Sequence, residues 1–390
     1  MAVNAKANFV FSSLGLAFLA GIGLMIGNIA PTIVTAYVDN PTFSVGNAGS
    51  VISVNMFGTA LGALITSFLL QKINWSRTAF FFLLVLVVSD LISIPINQPI
   101  SLFLIRFIHG LAAGGLMGIT YAAIAQTSSP ERIQALSYTM QLLFGGILIQ
   151  LITPRIESLG AVVVWLPLVL FSAAGLLLCP LLKNRIPSGI TLASDQSQKR
   201  AGNLIIGLAL VSLFAFQMGQ FAAFAYVIEV GINHNFSVEF TGASVAMGMW
   251  VGGPSALFVT WWSLRSGRAF PIVLASGIQI ASISLLLFPI SSFFLIGNIA
   301  WGIAFNIGIS YVLGLISELD NEGRIASLAA FTSTLGLSAG PGFAAFMVGE
   351  DSYERVLLFS LTILFTSLVL IIIPAMKLDS LNKTSRMIWS

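Results

Sequence analysis

Residues 101–126 read SLFLIRFIHGLAAGGLMGITYAAIAQ, and residues 293–317 read FFLIGNIAWGIAFNIGISYVLGLIS. Each is long enough to cross a bilayer as a helix, which takes about 20 consecutive apolar residues. The first holds one formal charge, Arg106, and the second holds none. A shift of 192 positions lays one on the other. His109-Gly110-Leu111-Ala112 then meets Trp301-Gly302-Ile303-Ala304, and Arg106 meets Asn298. The same shift sets Arg132-Ile133 on Arg324-Ile325 and Asn28 on Gln220. Two stretches of one chain therefore repeat, and both have the length and composition of membrane spans.

The rest of the chain has the same character. Only 8% of its 390 residues are charged and 57% are hydrophobic, with a mean hydropathy of +0.97. A soluble domain has no interior large enough to hide that surface. Charge-free runs such as 7–38, 40–71, 133–154, 201–228 and 325–349 recur throughout. Turn residues and charges divide the chain into twelve candidate spans: 10–36, 47–70, 78–97, 101–126, 134–156, 161–182, 203–229, 240–263, 270–289, 293–317, 325–349 and 355–376. The polar stretch 183–202 separates them six and six. The reading is an all-α membrane protein with a first bundle over 1–182, a linker over 183–202 and a second bundle over 203–390.

Lys and Arg set the orientation. With a cytoplasmic N-terminus, 14 of the 17 basic residues lie inside, Arg155 and Arg355 lie outside, and Arg106 lies within a span. The positive-inside rule then places both termini and the 183–202 linker in the cytoplasm. The sequence pI of about 9.1 does not signal nucleic-acid binding, since the net charge is only +3 and the basic residues are scattered. Cys179 is the single cysteine, so neither a disulfide framework nor a thiolate metal cluster is expected. No nucleophile–base pair, phosphate-binding loop or metal-ligand spacing is visible. The sequence suggests neither an enzyme nor a resident cofactor, and no motif for ATP-driven transport.

Two parallel six-span halves with a central cytoplasmic loop resemble the major facilitator superfamily, over essentially the whole chain. Its basic loop signature is degraded in the first half to Ser67-Phe-Leu-Leu-Gln71-Lys72-Ile-Asn74, with Gln71 in place of the acid. Its tail survives in the second half as Arg265-Ser266-Gly267-Arg268. An Arg-x-x-Gln-Gly pattern of span four appears as Arg106-Phe-Ile-His109-Gly110, with histidine replacing glutamine. The glycine–proline pattern of drug–proton antiporters is missing from span five; Gly340-Pro341-Gly342 lies in span eleven instead. The resemblance implies two pseudo-symmetric six-helix bundles, alternating access, and a central cavity walled by spans one, four, seven and ten. It also implies gating roles for Lys72, Arg77, Arg265, Gly267 and Arg268.

Function must then be sought in the few polar groups kept at membrane depth. For Arg106 the two readings are a coupling or anion-binding group and a residue snorkelling to headgroups. Asp90 and Arg106 flank the turn between spans three and four at similar depth, so Asp90 either pairs with Arg106 or titrates. His109 is a proton-exchange group or a packing residue. Glu229 has no cation near it in sequence and ranks ahead of Asp90 as proton carrier. Asn28, Gln141, Gln150, Gln217, Gln220, Asn298 and Asn306 either bind solute or glue helices together. Phe221 and Phe224 are aromatic lining candidates beside Gln220. Glycines at 21, 23, 27, 114, 115 and 118 read as close-packing surfaces.

The combined expectation is a monomeric, proton-coupled secondary transporter of a small organic solute in the inner or plasma membrane, with efflux as the favoured direction. The alternative is a non-transporting membrane sensor or assembly factor that keeps this fold, a reading sustained by Gln71. The orientation is directly testable. In a Cys179→Ser background, an impermeant thiol reagent applied outside is expected to label a cysteine at Asn235 and spare one at Ser194; labelling at 194 alone would invert the topology.

Overall fold

The computed structural model describes residues 2–38, 40–182, 202–262, 267–319, 324–348 and 353–388. Among these, every regular element is helical. The chain divides into two compact units, residues 1–188 and 189–390, with most of the predicted linker outside the described residues. Among the described residues, seven helices are long and apolar enough to cross a membrane.

Unit 1 opens with a broken span. Helices α1 (Ala2–Ile22), α2 (Met25–Asn28) and α3 (Ala30–Val38) replace the single helix expected over 10–36. The breaks fall among Gly21, Gly23 and Gly27 and just before Pro31, where the chain holds its weakest helix formers. Four long helices follow: α4 (Val45–Leu69), α5 (Trp75–Ser93), α6 (Pro99–Ala125) and α7 (Pro130–Ile152). Their starts are written in the sequence. The Ser44 and Asn74 side chains cap α4 and α5 by accepting from the backbone N–H of Asn47 and Arg77. Pro99 and Pro130 occupy first-turn positions, where a missing N–H costs nothing. The short α8 (Ile156–Leu159) and the apolar α9 (Val162–Leu176) complete the unit. The sixth span, expected to run to 182, stops at Leu176 and passes into a 3₁₀ turn at Cys179–Leu181, which contains Pro180.

Unit 2 contains α10 (Asn203–Asn233), α11 (Val238–Gly252), α12 (Ser255–Trp262), α13 (Ala269–Leu285), α14 (Ser291–Glu318), α15 (Arg324–Met347) and α16 (Glu354–Ile388). The span expected as one helix over 240–263 is split between α11 and α12 at Gly253-Pro254, since proline disfavours helix in the residue before it. The last helix runs on to Ile388, well past the expected end at 376. It keeps helical geometry although its composition turns polar after Met376.

Small residues set the interhelical spacing that places the polar groups. A Cβ built on Gly62 would lie 2.1 Å from the carbonyl oxygen of Leu111, and one on Gly114 only 2.0 Å from that of Thr59. Helices α4 and α6 thus touch backbone to backbone, as close packing by small residues requires in lipid. Of the other expected packing glycines, Gly23 faces the Ala113 carbonyl, Gly115 meets the ring of Phe82, and Gly118 meets Thr66. In unit 2, Gly336 and Gly340 of α15 approach the α10 carbonyls of Phe214 and Met218 in the same way. The outward surface is apolar, with Phe68, Ile100, Leu170, Phe346 and Phe365 all exposed.

Substitution at the α4–α6 contact is expected to be costly. Gly114→Val puts carbon where backbone already lies and should destabilise by about 1–3 kcal/mol. Gly277→Ala, with nothing within 4 Å of the new methyl, should not destabilise and can add up to about 1 kcal/mol through helix propensity. Thermal unfolding in detergent compares the two.

Candidate functional site

The charged group at membrane depth is built from five helices of unit 1. Arg106 of α6 and Asp90 of α5 are both fully buried and pair at 2.7 Å between Nη1 and Oδ1. The guanidinium also donates from Nη2 to the Ser89 carbonyl and to Ser93 Oγ, each at 2.6 Å. Its flat face lies over the Trp165 ring of α9, 4.3 Å from the centroid. Trp165 Nε1 in turn donates to the Tyr37 hydroxyl of α3 at 2.9 Å. A guanidinium suits this place because it is planar, donates in a fork and is weakly hydrated. The snorkelling reading of Arg106 is thereby excluded. The turn at 94–98, between α5 and α6, supplies the geometry: residues equally far from it along two antiparallel helices meet at one depth.

His109, one turn along α6, joins the pair. Its Nε2 faces the same Asp90 Oδ1 at 3.5 Å. Its Nδ1 lies 2.9 Å from the side-chain amide nitrogen of Asn55 in α4, and that nitrogen also donates to the Arg106 carbonyl at 2.9 Å. Three buried polar atoms of the cluster have no hydrogen-bond partner among the described residues: Asp90 Oδ2, Arg106 Nε and Asn55 Oδ1. A buried acceptor left open this way is costly. Ionisable side chains inside a membrane span are candidates for function.

Unit 2 holds a cluster of amides and aromatics. Gln220 Oε1 of α10 accepts from Gln279 Nε2 of α13 and from Trp301 Nε1 of α14. Trp301 is the repeat mate of His109, and Gln220 is that of Asn28, which lies outside the charged cluster. Phe224 packs edge-on to Trp301 and stacks on Phe221. Gln279 Oε1 is buried without a partner among the described residues.

The remaining candidates separate. Asn298 and Asn306 donate back into their own helix, to the Phe294 and Gly302 carbonyls. Gln217 of α10 donates to Ser333 Oγ of α15 at 2.7 Å, a bond between helices. Gln141 reaches Ser137 on its own helix at 3.3 Å. Asn28, next to the break after α2, is half-buried, and its Nδ2 has no partner among the described residues. Glu229 is buried in α10, two turns beyond Phe221.

Of the loop candidates, Lys72 and Arg77 are exposed and Arg265 lies outside the described residues. Arg268 pairs with Glu318 at the end of α14. The backbone N–H groups of Arg268 and Ala269 donate to the Asp379 carboxylate of α16. Gly267 has a φ of +76°, and a Cβ there would lie 2.6 Å from Asp379 Oδ2. Glycine is required at this position on both counts.

Sequence reasoning passed over Asn55, Trp165, Tyr37, Gln279, Glu318 and Asp379. Asn55 and Gln279 had a usable signal, each being an isolated amide inside a long apolar run.

The chain matches the family model of the Major Facilitator Superfamily over residues 14–341, and it belongs to that superfamily. It is a multi-pass membrane transporter and not an enzyme. Among solved structures, a mutant of the nucleoside transporter NupG is similar at a TM-score of 0.73 and 12% identity, covering 93% of this chain and 98% of that one. A bacterial homologue of the human lysosomal transporter Spinster, inward-facing and occupied, is similar at a TM-score of 0.65 and 15% identity, covering 94% and 95%. Comparison with curated protein sequences gives no significant match.

The guanidinium makes the site testable without a substrate. Arg106→Lys keeps the charge but loses the fork and the ring contact. It is expected to cost about 1–2 kcal/mol, read as a lower unfolding midpoint. An unchanged midpoint would show that the planar contacts carry no weight.

Proposed function

We propose that this protein is a proton-coupled secondary transporter of a modest-sized organic solute, working by alternating access in the cell membrane with both termini cytoplasmic. The observation that carries the proposal is the Asp90–Arg106–His109 cluster. A carboxylate at membrane depth gives one oxygen to Arg106 and keeps the other, Oδ2, unpartnered among the described residues. A proton can join Oδ2 without displacing the guanidinium from Oδ1. Asp90 therefore moves ahead of Glu229 as proton carrier, with Glu229, buried in α10, as the second acid.

Solute recognition falls to the amide and aromatic groups of unit 2: Gln220, Gln279, Trp301 and Phe224. They offer hydrogen bonds beside flat apolar faces and no formal charge, which suits a neutral or amphipathic solute with a ring. NupG is a nucleoside transporter, and nucleosides are solutes of this chemical kind. Efflux is the proposed direction and the monomer the working unit.

Proteoliposomes test the coupling. Asp90→Asn is expected to retain exchange of labelled solute across the membrane and to lose accumulation driven by a pH gradient. Glu229→Gln should keep accumulation. If Asp90→Asn accumulates solute like the wild type and Glu229→Gln does not, Glu229 carries the proton. Gln220→Ala is expected to raise the apparent KM for solute severalfold with pH-gradient coupling intact. Wild-type liposomes with no saturable flux for any solute screened would favour a non-transporting role.

A further inference from the structure

Asn55 settles which nitrogen of His109 carries the proton. Its amide nitrogen lies 2.9 Å from the Arg106 carbonyl, and a carbonyl oxygen only accepts. Turning the amide over would set Asn55 Oδ1 against that carbonyl, acceptor to acceptor. The nitrogen therefore stays where it is, and its second contact, 2.9 Å to His109 Nδ1, requires Nδ1 to accept. A neutral imidazole that accepts at Nδ1 bears its hydrogen on Nε2. Nε2 is then the nitrogen that faces Asp90 Oδ1, with 3.5 Å between the two atoms.

The two alternatives conflict with the same neighbours. A neutral ring with hydrogen on Nδ1 would meet the Asn55 N–H donor to donor and would turn the Nε2 lone pair toward the carboxylate. A doubly protonated ring satisfies Asp90 but keeps the donor clash at Asn55. Only the first arrangement leaves every contact complementary.

We propose that Asn55 is a positioning residue that holds His109 as the neutral Nε2–H form, closing Nδ1 to protons and leaving Asp90 Oδ2 as the proton-accepting atom of the cluster. Nδ1 is opened only by withdrawing the Asn55 amide. That amide stands on α4, whose backbone is packed against α6 through Gly58, Gly62, Gly110 and Gly114. Protonation of His109 is thereby tied to the spacing of two helices. The charged and titratable groups facing the ring are Asp90 of α5 and Arg106 of its own helix, with Asn55 the polar group from α4. The transport consequence rests on the coupling reading above; the assignment of the ring's proton does not.

The chain has two histidines, His109 and His234, so His234→Gln leaves one. Full-length protein with ¹⁵N-labelled histidine in nanodiscs gives the protonation of each ring nitrogen directly by NMR. The expected spectrum near neutral pH shows hydrogen on Nε2 and a bare Nδ1. Hydrogen on Nδ1, alone or with Nε2, overturns the proposal. Asn55→Ala should let a population with hydrogen on Nδ1 appear; an unchanged ring would show that Asn55 does not set it. If Asn55→Ala fails to fold, the spectrum of the single-histidine protein alone decides. In liposomes, Asn55→Ala is expected to lose pH-driven accumulation more than solute exchange, whereas a purely structural loss lowers both alike. Should the NMR assignment hold while a pH gradient drives no flux in wild-type protein, the coupling reading fails and the role of Asn55 in fixing the ring stands.

Discussion

The ion pair between Arg106 and Asp90 constrains everything around it. A single charge at the centre of a membrane helix costs about 2.5–3.5 kcal/mol on insertion scales, and neither partner can be left alone. The structure answers with three hydrogen bonds and an aromatic face. Asp90, Ser89 and Ser93 come from one turn-and-a-half of α5, and Trp165 comes from α9. Tyr37, from the separate helix α3, then satisfies the indole. Three helices are held in register to keep one guanidinium satisfied. Truncating either side chain to Ala would strip its partner of hydrogen bonds as well as charge, a loss of about 3–5 kcal/mol in comparable cases.

Close packing lets α4 take part. Asn55 has a short side chain and reaches Arg106 and His109 only because α4 and α6 touch at their glycines. The small-residue surface and the polar cluster are therefore one device: the first sets a distance that the second uses. The sequence repeat carries over only in part to unit 2. Trp301 stands where His109 stands, and Gln220 takes the place of Asn28. The ion pair with Asp90 and Arg106 lies in unit 1, and the amide–aromatic cluster of Gln220, Gln279 and Trp301 lies in unit 2.

Much of this was legible in the sequence. The apolar runs and the 192-residue repeat identified the fold class. Arg106 and Asp90 were placed at one depth by counting from the turn they flank. What sequence could not supply was the rotation of each helix about its axis. Asn298 and Asn306 looked like solute-facing amides, yet both bond back to their own helix. Trp165 and Tyr37 were indistinguishable from the aromatics around them, because stacking on a guanidinium leaves no periodic mark. The breaks in the first and eighth spans had local causes, Gly23 and Gly253-Pro254, but glycine and proline occur inside intact membrane helices too. Pro341 sits within α15 without ending it.

The measurement that bears most directly on this account is a double-mutant cycle at the ion pair, with Asp90→Ala, Arg106→Ala and the double substitution compared by reversible unfolding in mixed micelles. The account predicts that the second substitution costs far less than the first, with a coupling of about 2–3 kcal/mol. Losses that simply add, to within about 0.5 kcal/mol, would contradict it and leave Arg106 and Asp90 as neighbours rather than partners.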